Sequence, residues 1–437
     1  MFTASSRHPP CAAGLAQIWA ATLCLCAATL SLPAGAQQML SLDEALRLAA
    51  DRSRQLPAQD AAAAAARELA VAAGQRADPT LKAGLNNLPI DGADRFSLTR
   101  DFMTMRSVGV MQEFTRDDKR QARAARFERE ASVAEAGRAV ALANLRRDTA
   151  LAWLDRHFQE RMHALLQVQR AETALQIEAA LAAYRGGRGA QADVLAAISA
   201  VAQIDDRIRQ SVIQLATASI KLARWVGPDA GLALGQPPVL STLQMQSGEI
   251  ETQLAHHPQL ALMASQEAVA RAEADIAISN KRPDWSVELM LSQRGSAYSN
   301  MVSINVSVPL QWDQKNRQDR EVSARLALAE QIRAQREELN REYVAEARSW
   351  LQQWQGNGGR LTQYDKSLIP LAADRTQAAI AAYRGGGGTL AAVLDARRME
   401  IDVRMDRLRL ELETAGLWAQ LAYLIPVAPQ SHQEHQR

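Results

Sequence analysis

Apolar and polar residues alternate strictly along two segments in the second half of the chain, residues 285–292 and 302–308. Alternation over this length predicts two β-strands, each with one apolar and one polar face. The segment 295–300 between them is rich in turn-forming residues and predicts a hairpin loop. The predicted apolar face includes Trp285, Val287, Leu289, Val302, Ile304 and Val306.

A weaker version of the same pattern occurs in the first half of the chain. Leu81, Ala83 and Leu85 alternate with polar or small residues, and Val108 and Val110 follow after a longer loop. The sequence therefore predicts two hairpins with four strands in all.

Long segments with helical periodicity follow each predicted hairpin, at 117–184 and 313–383. Apart from Pro370 they contain no proline, so helices on the order of 100 Å are possible at about 1.5 Å per residue. Apolar residues recur at three- and four-residue steps, which indicates packing like that of a coiled coil. The stripe in the first segment consists of Leu145, Thr149, Ala152, Leu154, Phe158, Met162 and Leu165.

An internal duplication organises the chain. The motif Ala-Ala-Tyr-Arg-Gly-Gly at 182–187 recurs 199 residues later at 381–386, and eleven of the sixteen positions from 182 to 197 match their counterparts. A period this long predicts two copies of one large unit. Each copy reads as an Ala-rich helix (about 41–75 and 248–281), a hairpin, a long helix, a glycine turn and a last helix (about 190–226 and 390–424).

The resulting domain prediction starts with a secretory signal peptide at residues 1–36, which has an apolar run and an Ala-Gly-Ala site. The first repeat follows at 37–230, a linker at 231–247, the second repeat at 248–426 and a disordered polar tail at 427–437. All three cysteines lie in the leader, so the exported chain has no thiol. A lipoprotein leader needs a small residue directly before its cysteine, whereas Cys24 and Cys26 each follow a leucine. We therefore expect an exported protein that is not lipidated.

Composition and motifs exclude several functional classes. Fifty Lys and Arg residues balance 48 Asp and Glu residues, so no charge excess points to nucleic acid. The sequence has no phosphate-binding glycine loop, no H-E-x-x-H and no G-x-S-x-G. We predict that the protein is not an enzyme and needs no cofactor.

Four strands cannot close a barrel within one chain, and lipid does not tolerate an open sheet edge. Strands of about nine to eleven residues with an apolar outer face match a transmembrane barrel. Three chains with four strands each would close it, and the apolar face defined above would then contact outer-membrane lipid. The fold class is therefore predicted as mainly α with a small β part. Each chain would have long helical hairpins and two β-hairpins that contribute to a trimeric 12-stranded barrel.

This order of elements, with its Tyr-Arg-Gly-Gly turns and the segment 304–310 that closes the second hairpin, resembles the TolC-like outer-membrane efflux proteins. The resemblance covers essentially the whole exported chain. It implies a homotrimer in the outer membrane, with twelve helices that form a tunnel into the periplasm. Its partners would be a periplasmic membrane-fusion adaptor and an inner-membrane RND pump. The tips that contact the adaptor would be formed by Tyr184, Gly186, Gly187, Tyr383, Gly385 and Gly386.

Members of this family often narrow the tunnel with acidic rings, and the corresponding segment here is 392–395. Only its second acid, Asp395, is present, and the alternative is that this carboxylate is simply solvated. Arg185 and Arg384 are expected either to pair with neighbouring carboxylates and hold the tunnel closed or to be merely exposed. With Asp193 they complete the predicted pore constriction.

The region 85–105 resembles the heavy-metal branch of the family, the CzcC- and CusC-like channels. Met103, Met105 and Met111 could attract copper or silver, but methionines at this spacing are more often part of an apolar face. His256 and His257 are interpreted as a helix start, and no tight metal site is predicted.

Three functions remain open on the sequence. The first is an efflux channel for heavy-metal cations. The second is the same channel for drugs or for type I protein secretion. The third is a soluble periplasmic coiled-coil scaffold.

Overall fold

Long helices with narrow apolar stripes and a small antiparallel sheet make up residues 39–243 and 250–424, which are the residues that the computed structural model describes. The predicted mainly helical class with a small sheet is confirmed. The signal peptide and the polar tail, with His432 and His435, lie outside the described residues, as does part of the linker.

The helices of the first copy are two short ones before the hairpin and two long ones after it. Helix α3 runs unbroken for 69 residues, and its long apolar stripe explains why a helix of this length is stable. Their bounds are Leu42–Arg52 (α1), Gln55–Ala73 (α2), Asp117–Arg185 (α3) and Gln191–Val226 (α4).

The second copy repeats this order with one difference. Its long helix is interrupted by a π-helical turn at Tyr364–Leu368, just before Pro370, which removes a backbone donor. The bounds are Ile250–Leu254 (α5), Pro258–Ser279 (α6), Gln318–Gln363 (α7), Ile369–Arg384 (α8) and Leu390–Ala422 (α9).

The Ala-rich helices expected at 41–75 and 248–281 are each broken in two. Ser53 and His257 adopt extended backbone angles at the breaks. Pro57 and Pro258 lie in the first turn of the helices that follow, where proline is tolerated because its missing N–H has no partner to lose. The helical prediction across both sites was wrong because it passed over these prolines.

Four strands form one antiparallel sheet in the order β1-β2-β3-β4: Thr80–Asn86, Met105–Phe114, Trp285–Gln293 and Met301–Ser307. The predicted hairpins are β1-β2 and β3-β4. The pairing of β2 with β3 joins the two copies, with Val110 opposite Leu289.

The main core lies between α3, α4, α9 and the segment before α1. Phe158 is fully buried there, as the predicted stripe requires, and so is Trp153, which the stripe did not include. The Trp153 indole N–H donates to the Leu40 carbonyl at 3.0 Å, and Leu40 itself pairs with Leu234 in a parallel bridge. At the end of the stripe Leu166 is buried and Leu165 is only half-buried.

Candidate functional site

One face of the sheet is apolar on all four strands and is exposed. Leu81 is 72% exposed, Ile304 is 69% exposed and Val302 is 65% exposed. The antiparallel register places them on one face with the apolar residues of the inner strands. The apolar residues of this face are Leu81, Ala83, Leu85, Val108, Val110, Trp285, Val287, Leu289, Leu291, Val302, Ile304 and Val306. The same register also places Arg106, Gln112 and Gln293 on it, toward its two ends. The six residues predicted for the apolar face thus lie together.

The opposite face of the sheet is polar and more buried. Lys82 and Glu288 form an ion pair across it at 3.0 Å, and the Asn86 amide donates to the Ser107 hydroxyl at 2.9 Å. Met105 and Met111 also lie on this polar face, and Met103 lies in the preceding loop. The expectation that these methionines belong to an apolar face is therefore wrong for the two in β2. Their register, which the sequence does not specify, places them on the polar side.

The outer strands leave two open edges. Within the described residues, β1 pairs only with β2 and β4 pairs only with β3. The outward N–H and C=O groups of these strands therefore need water or another strand.

Aromatic residues collect at one end of the apolar face. Phe114, at the end of β2, stacks on Trp285, at the start of β3, with ring centroids 4.3 Å apart. Trp312, just after β4, is 88% exposed. Aromatic rings of this kind border the apolar band of membrane proteins.

A buried ion pair attaches the sheet to the helices. Lys119, in the first turn of α3, is 5% exposed, and its ammonium lies 2.7 Å from the Asp284 carboxylate. The same carboxylate accepts from the Arg116 backbone N–H at 3.1 Å. Asp284 directly precedes β3, so this contact fixes the start of one copy's helix to the start of the other copy's strand. The sequence analysis missed it because the two residues lie 165 positions apart.

Both glycine turns end their helices with the same pattern of backbone hydrogen bonds. In the first turn the Arg188 N–H donates to Ala183 and the Gly187 N–H donates to Tyr184. In the second, Gly387 and Gly386 make the equivalent bonds, so both turns are Schellman motifs. Gly187 and Gly386 have φ values of 67° and 78°, which favour glycine.

Each turn has four positions, 186–189 in the first copy and 385–388 in the second, and the fourth requires glycine because of close contacts. A Cβ at Gly388 would lie 3.0 Å from the Ala382 Cβ, and Gly189 is crowded in the same way. The third position is open, and it is Arg188 in one copy and Gly387 in the other. The backbone angle at the second position and the crowding at the fourth explain why both copies have glycine there.

The structure brings the two turns together through a small apolar cluster. Ala180, Val194 and Ala197 of the first copy pack against Leu390 and Val393 of the second. Of the predicted tip residues, Tyr383 packs against this cluster, whereas Tyr184 is 48% exposed. The tips of the two hairpins therefore form one surface.

Charged residues predicted for the constriction have different surroundings. The Asp395 carboxylate lies 2.9 Å from the Arg398 guanidinium and 3.4 Å from that of Arg375. Asp193 accepts from the Ala190 backbone N–H at 3.1 Å and so caps the start of α4.

The arginines at the ends of the long helices have no such partners. Arg185 and Arg384 are exposed, and neither forms an ion pair with any residue in the described ranges. Basic side chains are favourable in the last turn of a helix, where both of them lie. Of the two alternatives for these arginines, pairing with neighbouring carboxylates is therefore not made within one chain, and both side chains are exposed.

A network of charged residues links the two helical hairpins above the tips. The nearly buried guanidinium of Arg397, on α9, lies 2.6 Å from the carboxylate of Glu172 on α3. Within α9, Glu400 forms an ion pair with Arg404 at 2.7 Å. Arg207 on α4 pairs with Asp402 at 2.7 Å. The pairs within α9 could be read from their three- and four-residue spacing. The pairs between the two copies join residues far apart in the chain, so the sequence spacing does not predict them.

A groove of about 350 Å³ lies between α3, α4 and α9 beside Asp395. Across residues 39–243 and 250–424, no three His, Cys, Asp or Glu side chains are arranged to hold a metal ion. The groove therefore offers a charged, water-accessible surface beside Asp395.

The histidine at the start of α6 is confirmed as a helix-start residue. The His257 Nδ1 accepts from the Gln259 backbone N–H at 3.2 Å, and its ring packs against Tyr343 with centroids 4.1 Å apart. Burial lowers the pKa of His257 to about 4, and nearby Arg147 acts in the same direction. The imidazole is therefore a neutral structural group.

Comparison with solved structures identifies the fold. The outer-membrane channel OprN superposes with a TM-score of 0.72 at 17% identity, covering 88% of this chain and 89% of that one. The chain has the fold of outer-membrane channels. The outer membrane protein VceC of Vibrio cholerae matches with a TM-score of 0.69 at 20% identity, covering 88% and 95% of the two chains. CusC, whose structures concern transmembrane channel formation, matches at 0.73 and 15%, covering 88% and 92%.

Comparisons by sequence give no match, either to a protein-family model or to a curated protein. The likeness therefore rests on the fold. None of the described helices is long and apolar enough to cross a membrane.

Proposed function

We propose that this protein is the outer-membrane channel subunit of a tripartite RND-type efflux system, which conducts its substrate passively from the periplasm to the exterior. The observation that carries the proposal is the exposed apolar face that runs across all four strands. Exposure of so many large apolar side chains to water is unfavourable, and faces of this size mark contact with a membrane or a partner.

The open edges of β1 and β4 support a trimer. A four-stranded sheet in lipid would leave its outer backbone groups without partners, at a cost of several kcal/mol each. Pairing of β4 with β1 of the next chain removes both edges, and three chains give a barrel of twelve strands. The apolar face then contacts lipid and the polar face lines the lumen.

The helices form the periplasmic part of the proposed channel. Helix α3 has 69 residues, which corresponds to roughly 100 Å at 1.5 Å per residue. The joined tips around Gly187 and Gly386 are the proposed contact with the adaptor, through which the inner-membrane pump is reached. The proposed constriction includes Asp395, Arg384, Arg185 and Asp193, with any pairing of the two arginines made between neighbouring chains.

The proposed cargo is a heavy-metal cation. Passive conduction requires no catalytic group, so the protein is proposed to act without enzymatic chemistry or a cofactor. A signal peptide at 1–36 would export it to the outer membrane without lipidation.

Cysteine crosslinking tests the assembly. One cysteine would be placed in β1 and one in β4 of the full-length protein, at several register offsets, and outer membranes would be oxidised. We expect covalent dimers and trimers on denaturing gels for one register offset. A matched pair that places both cysteines on α2, at Ala61 and Ala65, should remain monomeric. Recovery of the protein in the soluble periplasmic fraction without crosslinked trimers would refute the proposal.

A further inference from the structure

The four methionines in the strands are distributed unevenly between the two faces of the sheet. Met105 and Met111 in β2, Met290 in β3 and Met301 in β4 all lie on the polar face. None lies on the apolar face. Methionines used only as apolar filler would be expected on the apolar side, where the Leu, Ile and Val residues lie.

The register places these methionines on successive rungs of the polar face. Met111 is opposite Glu288 and Met290 is opposite Gly109, one rung further along the same face. The next two rungs carry Met301, opposite Ser292, and Met105, opposite Asn86. Rungs on one face are about 6.8 Å apart, so four thioethers extend over roughly 20 Å.

The neighbours of these side chains do not form an apolar core. Glu288 is paired with Lys82, and the other residues directly opposite these methionines are threonine, serine, asparagine or glycine. Gly109 lets the β3 backbone approach β2 closely, because a Cβ there would lie 2.7 Å from the Leu289 carbonyl oxygen and 3.2 Å from the Met290 Cβ. Met301 is 42% exposed and the other three are half-buried. The thioethers are therefore reachable from the polar side.

Thioether sulfur is a soft, neutral and weak ligand that favours Cu(I) over hard divalent cations, and Ag(I) is the same kind of soft monovalent ion. Weak sites in series permit an ion to enter and leave, as conduction requires. We infer that the polar face of the sheet is a pathway for soft monovalent metal cations, with these four methionines as successive contacts. The inference rests on the proposed function and narrows its cargo to Cu(I)-like and Ag(I)-like ions.

Nuclear magnetic resonance of methionine methyl groups tests this directly. The full chain would carry ¹³C-methyl methionine in phospholipid nanodiscs, and silver nitrate would be added in chloride-free buffer. We expect the four sheet resonances, assigned by single Met→Leu variants, to shift at lower silver concentration than the others. Zinc nitrate should shift none of them.

Met399 is the matched control, because it is 43% exposed, about as much as Met301, but lies on a helix beside Arg375. The inference is overturned if Met399 responds to silver at the same concentration as the sheet methionines, or if the sheet resonances do not move. A second measurement tests the proposed function separately. A water-soluble gadolinium chelate should broaden the sheet methyl signals and a lipid-bound nitroxide should not, and the reverse result would contradict the lumen assignment whatever the silver titration gives.

Discussion

Substitution of Leu289 by arginine measures whether the apolar face lies in lipid. Leu289 is the central residue of the nine-residue strand β3, so it lies about 14 Å from each end of that strand. In an apolar band about 25 Å tall it is close to the membrane midplane. Arginine at this depth costs about 2–4 kcal/mol, which is roughly a 30- to 900-fold change in the folding equilibrium.

The same substitution would cost little if the face were in water. Leu289 is 53% exposed, and exposed positions on a soluble protein usually change the free energy of unfolding by less than about 0.5 kcal/mol. Urea titration of the protein folded in phospholipid vesicles would give the two values. Ser303→Arg on the polar face is the matched control and should be nearly neutral. A small cost for Leu289→Arg, equal to that of the control, would show that the lipid assignment is wrong.

Three further predictions concern the helical part. Gly386→Ala should destabilise the tip by about 1–2 kcal/mol because its φ is 78°, whereas Gly387→Arg should be neutral because the space is open. Chymotrypsin cleavage after Tyr383 compares the two variants, because neither substitution adds a site for that protease. Gly358→Ala, at a helix position with no neighbouring atom, should stabilise α7 by about 1 kcal/mol and slow amide hydrogen exchange at 352–368, and unchanged exchange would contradict this. The imidazole of His257 has a pKa of about 4 in the folded chain and about 6.5 in the unfolded chain. The free energy of unfolding should therefore decrease as the pH is lowered from about 6.5 to about 4, because protons bind more strongly to the unfolded chain. His257→Asn keeps a helix cap and should remove this part of the pH dependence of urea unfolding.

Local patterns in the sequence were sufficient for the elements themselves. Alternation over 285–292 and 302–308 predicted β3 and β4, and the three- and four-residue stripe predicted α3, because side-chain periodicity follows directly from backbone geometry. The duplicated glycine turns also followed from local chemistry, since a left-handed residue ends a helix in both copies. Where a local signal was passed over, at Pro57 and Pro258, the predicted helices were wrong.

Contacts between the two copies were decided only by the tertiary structure. Pairing of β2 with β3, the Lys119–Asp284 ion pair and the joined tips connect residues far apart in the chain, and no periodicity specifies such partners. The same register decided that Met105 and Met111 lie on the polar face, because a shift of one residue would exchange the two faces. The sequence by itself thus determined the apolar and polar sides of each element, and tertiary pairing determined which residues share a surface.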